Sequence, residues 1–218
     1  MNRRSLFIST LAAVGLVFVG AATLYNLSGR PPQRAAPDLD AAGLVRAHSP
    51  VVGPADASVT IVEFFDPSCE ACKGFYPIVK QILDIHSGKV RLVLRYAALH
   101  EGSDEAVRII EAARLQDKFT PVLEALLDRQ PEWAVHGAPD LEKAWDIAGT
   151  AGLDIAKART DAQRPEITEV LRQDGEDLTR VGVERTPTFF VNGKPLESFG
   201  PQQLYDLVTR EVEAALPE

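Results

Sequence analysis

The chain holds two cysteines, Cys69 and Cys72, in the stretch Asp66-Pro67-Ser68-Cys69-Glu70-Ala71-Cys72-Lys73. The run before them, Val59 to Phe65, is β-branched and aromatic; the residues after them are apolar at helical spacing. The pair therefore sits where a strand ends and a helix begins. A thiol at a helix start faces unpaired backbone N–H groups and the positive end of the dipole, which lowers its pKa. A second thiol one turn on lies close enough to attack a mixed disulfide formed at the first. Those are the two requirements of a reversible dithiol, with Cys69 as nucleophile and Cys72 as resolving thiol. A purely structural bridge here would close too small a loop to stabilise much. A zinc site would need a second ligand pair, and His48, His86, His100 and His136 are scattered without ligand spacing. No metal ligands and no cofactor are therefore assigned. Chelation of copper(I) by the reduced pair, for delivery to an exported cuproprotein, stands as the alternative reading.

The surrounding elements follow from periodicity. Val59 to Phe65 reads as a buried strand and Lys73 to His86 as a helix with Gly88 as its C-cap. Val90 to Tyr96 alternates as a second strand, making a βαβ unit with parallel strands. Residues 103 to 181 show no convincing strand and read as four or five helical elements. Thr188 to Val191 is a strand, Asn192-Gly193 a hairpin turn, and Leu196 opens the returning strand. Leu204 to Ala215 is a terminal amphipathic helix opened by Gly200-Pro201.

The N-terminus speaks to location. Arg3 and Arg4 precede 25 uncharged residues, Ser5 to Gly29, which read as a signal peptide or a membrane anchor over residues 1–29. Residues 30–47, with Pro31, Pro32 and Pro37, read as a flexible linker. The expected location is extracytoplasmic, where disulfide chemistry is permitted. The chain carries 23 Lys and Arg against 31 Asp and Glu, a net charge of -8, which argues against a nucleic-acid partner.

At this point the sequence resembles the thioredoxin superfamily, and within it the DsbA-like thiol–disulfide oxidoreductases. Four features carry the likeness. The approach His48 to Ala57 leads into the strand Val-Thr-Ile-Val-Glu-Phe-Phe-Asp, and Cys69-Glu70-Ala71-Cys72 is followed by Pro77. About 115 residues, largely helical in pattern, then separate Cys72 from Pro187. Last comes Val183-Glu184-Arg185-Thr186-Pro187-Thr188-Phe189-Phe190-Val191-Asn192-Gly193. The likeness implies a thioredoxin-like α/β domain over residues 48–216, with a helical insertion subdomain at about 101–181. It implies a cis Pro187, with Thr186 and Pro187 forming a substrate-binding loop opposite the cysteines. It implies a proton-handling role near Cys72 for Glu63, and redox tuning by Glu70 and Ala71. It also implies partners: exported proteins with Cys thiols or disulfides, and a membrane redox partner. The Glu70-Ala71 pair places a carboxylate and no imidazolium between the cysteines, which predicts a less acidic Cys69 than in the strongest oxidants. Whether disulfides are made, broken or rearranged stays open.

Overall fold

A computed structural model describes residues 44–215. The signal or anchor segment and most of the linker lie outside the described residues. Among those described, no helix is long and apolar enough to cross a membrane.

Five strands form one sheet: β1 (Val51–Val52), β2 (Val59–Phe65), β3 (Val90–Tyr96), β4 (Thr188–Val191) and β5 (Lys194–Pro195). Their spatial order is β1-β3-β2-β4-β5. β2 runs parallel to β3, as expected of the βαβ unit, and antiparallel to β4; β1 and β5 add antiparallel at the two edges. The helix between β2 and β3, α1 (Glu70–Ile85), begins three residues earlier than its apolar spacing suggests and runs through Pro77. It ends at His86 rather than at Gly88, which instead takes a left-handed φ of 80° in the turn leading to β3. The hairpin turn is as expected: Asn192 and Gly193 both have positive φ, and the return strand starts at Lys194, two residues before Leu196.

The insertion comprises six helices, not four or five: α2 (Ser103–Arg114), α3 (Phe119–Asp128), α4 (Gln130–Trp133), α5 (Leu141–Thr150), α6 (Ile155–Asp161) and α7 (Pro165–Val181). The extra element is the single turn α4, too short for a periodic pattern to register. α2 is the hub, buried along most of its length and packed against α3, α5, α6 and α7. Asp140 and Asp154 cap α5 and α6, accepting the Lys143 and Lys157 backbone N–H at 2.9 and 3.1 Å. The final helix, α8 (Pro201–Ala214), packs on β2 and β4.

Alternation along β2 sorts its side chains between two cores. Val59, Ile61 and Phe65 join α1, α8 and the insertion in the larger cluster. Val62 and Phe64 join Leu44, Val93, Val181 and Phe190 in the smaller one on the opposite face. Glu63 is in phase with the first set, so it shares the α1 side of the sheet with Cys72. Leu44 is fully buried, and Arg46 makes a bidentate pair with Asp177 at 2.7 Å. Residues 44–47, read from the sequence as linker, thus belong to the packed body. The buried Arg95 joins β3 to α7 through Asp174 (2.8 Å) and Asp177 (2.5 Å), and donates to the Leu44 carbonyl.

Candidate active site

Cys69 is the residue before the first turn of α1, with extended dihedrals of -81° and 121°. It is only 6% exposed, less open than a helix-start thiol leads one to expect, and Cys72 is wholly buried. Both are free thiols. The Cys69 sulfur lies 3.3 Å from the Thr186 carbonyl oxygen, and the Thr186–Pro187 peptide is cis. Helix start and loop therefore meet, as the family likeness implied.

The two sulfurs are pushed in opposite directions. Cys69 is drawn down to about 5, first by the Cys72 thiol donating to its sulfur. Burial opposes this; the Thr186 side chain and the backbone N–H groups of Cys72 and Ala71 add to it. The helix start contributes as expected, but its neighbour thiol contributes more. Cys72 is pushed far up by burial, by its hydrogen bond to Cys69 and by the charge of Glu63, against a weak donation from the Asp66 N–H at 3.4 Å. Glu63 is itself buried and raised to about 8, chiefly by burial and then by the Cys69 charge. Deep in the sheet, it is no solvated strand residue.

Four buried side-chain polar atoms among the described residues lack a partner: Glu63 Oε1, Ser68 Oγ, Gln130 Oε1 and Thr186 Oγ1. All four belong to residues beside the cysteines. Buried polar groups are ordinarily satisfied, so their concentration marks the place where the fold is built for something besides stability. The Thr186 hydroxyl is free to donate to a Cys69 thiolate.

Several supporting residues were not singled out in the sequence. The Gln130 amide donates to the carbonyls of Pro67 (2.8 Å) and Cys69 (3.1 Å), fixing the loop before the helix. Asp66, fully buried, accepts from the backbone N–H groups of Ser68 and Leu99 (both 2.8 Å) and His100 (3.1 Å). It also accepts from the Ser103 hydroxyl (2.5 Å) and His100 Nδ1 (2.7 Å). The four histidines are not all scattered: His100 and His136 meet edge to face at 5.4 Å, and His136 Nε2 lies 2.9 Å from Glu70 Oε1. Cys69 therefore does have imidazoles nearby, supplied by two loops rather than by the intervening dipeptide. Only the fold brings them there, and no local signal announces it. Phe75, three residues past Cys72 on α1, meets Phe189 (5.3 Å) and the exposed Phe199 (4.8 Å) with tilted rings.

The profile of a family described as thioredoxin matches residues 46–209, three quarters of the chain. The chain belongs to the thioredoxin family. Within the thioredoxin family its relatives include Disulfide bond formation protein D of Bacillus subtilis, 30% identical over 184 residues, 77% of each chain. The Na(+)/H(+) antiporter NhaA of Herminiimonas arsenicoxydans is 31% identical over 144 residues, 66% of this chain but 22% of that protein. The chain thus spans about a fifth of the antiporters and three quarters of the disulfide protein. Among solved structures, a thioredoxin-like oxidoreductase from Silicibacter pomeroyi is 33% identical with a TM-score of 0.68, covering 78% of this chain and 95% of that one. BdbD from Bacillus subtilis, at 24% identity and a TM-score of 0.66 over 76% and 93% of the two chains, agrees in fold. The thioredoxin-like α/β architecture and the DsbA-like resemblance read from the motifs are borne out.

Proposed function

We propose that this protein is an exported thiol–disulfide oxidoreductase working through the Cys69/Cys72 pair. The observation that carries the reading is the split between the sulfurs, one held as a thiolate near pH 5 and above, the other held as a thiol. Exchange proceeds by thiolate attack, so such a split assigns the order of events. In the oxidising direction a client thiolate attacks Cys69 of the disulfide; the Cys69–Cys72 bond breaks and Cys72 leaves with the electron pair, taking up a proton. The client's second thiolate then attacks its own sulfur in the mixed disulfide, forming the client disulfide and releasing Cys69 as thiolate. Two electrons pass to the protein. In the reducing direction the Cys69 thiolate attacks a client disulfide and expels one client thiolate. Cys72, passing its proton to the Glu63 carboxylate that forms as pH nears 8, then attacks Cys69 and expels the other.

Thr186 has two parts in this reading. Its backbone, beside Pro187, is offered to an extended client strand, and its hydroxyl donates to the Cys69 thiolate. Ala71 contributes a backbone N–H to the same sulfur, and Glu70 tempers it. The clients are extracytoplasmic proteins, and a membrane redox partner resets the pair. The N-terminal segment, cleaved or retained, delivers the domain there. Copper(I) delivery is less well supported, because a two-thiolate site needs both sulfurs deprotonated and Cys72 strongly resists that.

The test is electron exchange with a dithiol peptide across a glutathione redox buffer, read as the alkylation mass shift of the protein. Two-electron transfer that disappears in Cys69→Ser supports the reading. A pair that stays inert in both directions removes it.

A further inference from the structure

Ser68, the residue before Cys69, lines a small cleft together with His100, Glu101 and His136. His100 stands on the loop between β3 and α2, its side chain about a third exposed. Because a carboxylate only accepts, the bond to Asp66 fixes the proton on Nδ1 and leaves Nε2 as the atom that titrates. Four further donors hold that carboxylate, so ring and carboxylate move as a unit with the loop that carries Cys69.

We propose that His100 is a redox-tuning residue whose imidazolium, positioned by Asp66, is the counter-charge of the Cys69 thiolate, and that His136 neutralises Glu70 beside it. The inference rests on the thiol–disulfide reading and supplies its regulation by pH. The charged and titratable groups facing His100 are Asp66 from the end of β2, Cys69 and Glu70 from the start of α1, Glu101 from its own loop, and His136 from the loop after α4. Burial favours the neutral ring, but Asp66, Cys69 and Glu70 outweigh it, and the His100 pKa is raised. Glu70 is held ionised, first by its own backbone N–H and then, against slight burial, by His136 and His100. With Cys69 near 5, a thiolate–imidazolium pair exists from about that pH up to the His100 pKa. The Cys72 thiol first, then the Thr186 side chain and backbone N–H groups, lower the Cys69 pKa against burial, so the imidazole adds a modest, pH-dependent increment to a thiolate already formed. Above that window the counter-charge is lost, the thiolate becomes more basic, and its nucleophilicity rises.

The experiment is the pH–rate profile of alkylation at Cys69 in the reduced protein, with the labelled sulfur mapped by mass spectrometry. Wild type should show two rises, one near pH 5 and a second in the imidazole range. His100→Gln, which keeps a donor for Asp66, should remove the second rise and lift the first by about half a unit, a roughly three-fold loss of thiolate on its lower limb. His136→Gln, at an exposed position, should also lift the first, and adding Glu70→Gln should restore it. A wild-type profile with one rise, or a His100→Gln profile that superimposes on wild type, overturns this inference alone. Labelling at Cys72 instead overturns the redox reading and this inference with it.

Discussion

The Cys69 sulfur and the Thr186 carbonyl oxygen lie 3.3 Å apart, although 117 residues separate them in sequence. The whole helical insertion is spent between these two atoms, and the sheet register closes the gap. β2 pairs with β4 so that Glu63 stands opposite Phe189, which sets the end of β2 beside the loop that leads into β4. The Cys69 segment and the Thr186 loop thus lie at the same end of one antiparallel strand pair.

Mild alkylation of the reduced protein at neutral pH should label Cys69 and spare Cys72. The first is thiolate above about pH 5, and the second remains a buried thiol. Cys72→Ser should accumulate mixed disulfides that wild type releases, read by non-reducing electrophoresis. Preferential labelling of Cys72 would sink the assignment.

Glu63→Gln should stabilise the fold and slow resolution. With its folded pKa raised to about 8, Glu63 keeps a proton that the unfolded chain releases above its ordinary value near 4.5. The penalty on folding therefore appears as pH rises past 4.5, and is complete above about 8. The amide carries no such penalty, so the gain in denaturation midpoint should be absent at pH 4 and grow towards pH 8. At pH 8 and above, where Glu63 is ionised, the same variant should release mixed disulfides several-fold more slowly, since Cys72 loses its proton acceptor. Equal stabilisation at both pH values would rule out titration of Glu63 as the cause.

Thr186→Val keeps the shape of the side chain and removes its donor. The Cys69 pKa should rise, by an amount typical of one hydrogen bond to a charged group, about a unit. The thiolate absorbance titration should move up, and the disulfide should become less oxidising. An unmoved titration would show that the hydroxyl does not reach the sulfur.

The reduction potential of the pair should fall between the thioredoxin value, about -270 mV, and the DsbA value, about -120 mV. Cys69 is more acidic than a free thiol, yet its stabilisation comes mainly from hydrogen-bond donors, and the opposing Glu70 carboxylate is offset by His136. Equilibration with glutathione measures it. A value at or beyond either limit would contradict this balance of charges.

Acid should loosen β3 from α7. Asp177 is held well below the usual carboxylate range, first by Arg46 and then, against burial, by Arg95. A depressed carboxylate stabilises the fold fully above its unfolded pKa, about 4, and the contribution drains as pH falls below that. Asp177→Asn should lower the denaturation midpoint at pH 7, and the difference from wild type should shrink towards pH 2. A pH-independent difference would mean that packing, not charge, is what the substitution removes.

The strands β2, β3 and β4, the βαβ unit, the hairpin turn and the helical character of the insertion were legible, because each rests on local periodicity or on a turn that needs positive φ; the two-residue β1 was not. The place of Cys69 and Cys72, at a strand end and a helix start, was legible because strand end, helix start and spacing are local too. His100, His136, Asp66 and Gln130 were not. Their importance depends on which loops fold against Cys69, and no pattern along the chain encodes that meeting. The acidity of Cys69 was traced from sequence mainly to the helix start, but the largest contribution is a sulfur–sulfur hydrogen bond that only side-chain geometry reveals.

Both edge strands of the sheet are two residues long, and one of them contains Pro195, which has no N–H to offer. Beyond the short pairing of β1, the next donors along β3 are already occupied. The Pro50 carbonyl takes the Leu94 N–H, and the Asp174 carboxylate takes the Tyr96 N–H. A protein whose proposed clients are unfolded, extended chains would otherwise invite them to zip along its rim and co-aggregate. With the rim this short, the proposed function leaves the Thr186 loop as the place for a passing strand to dock, beside the Cys69 sulfur.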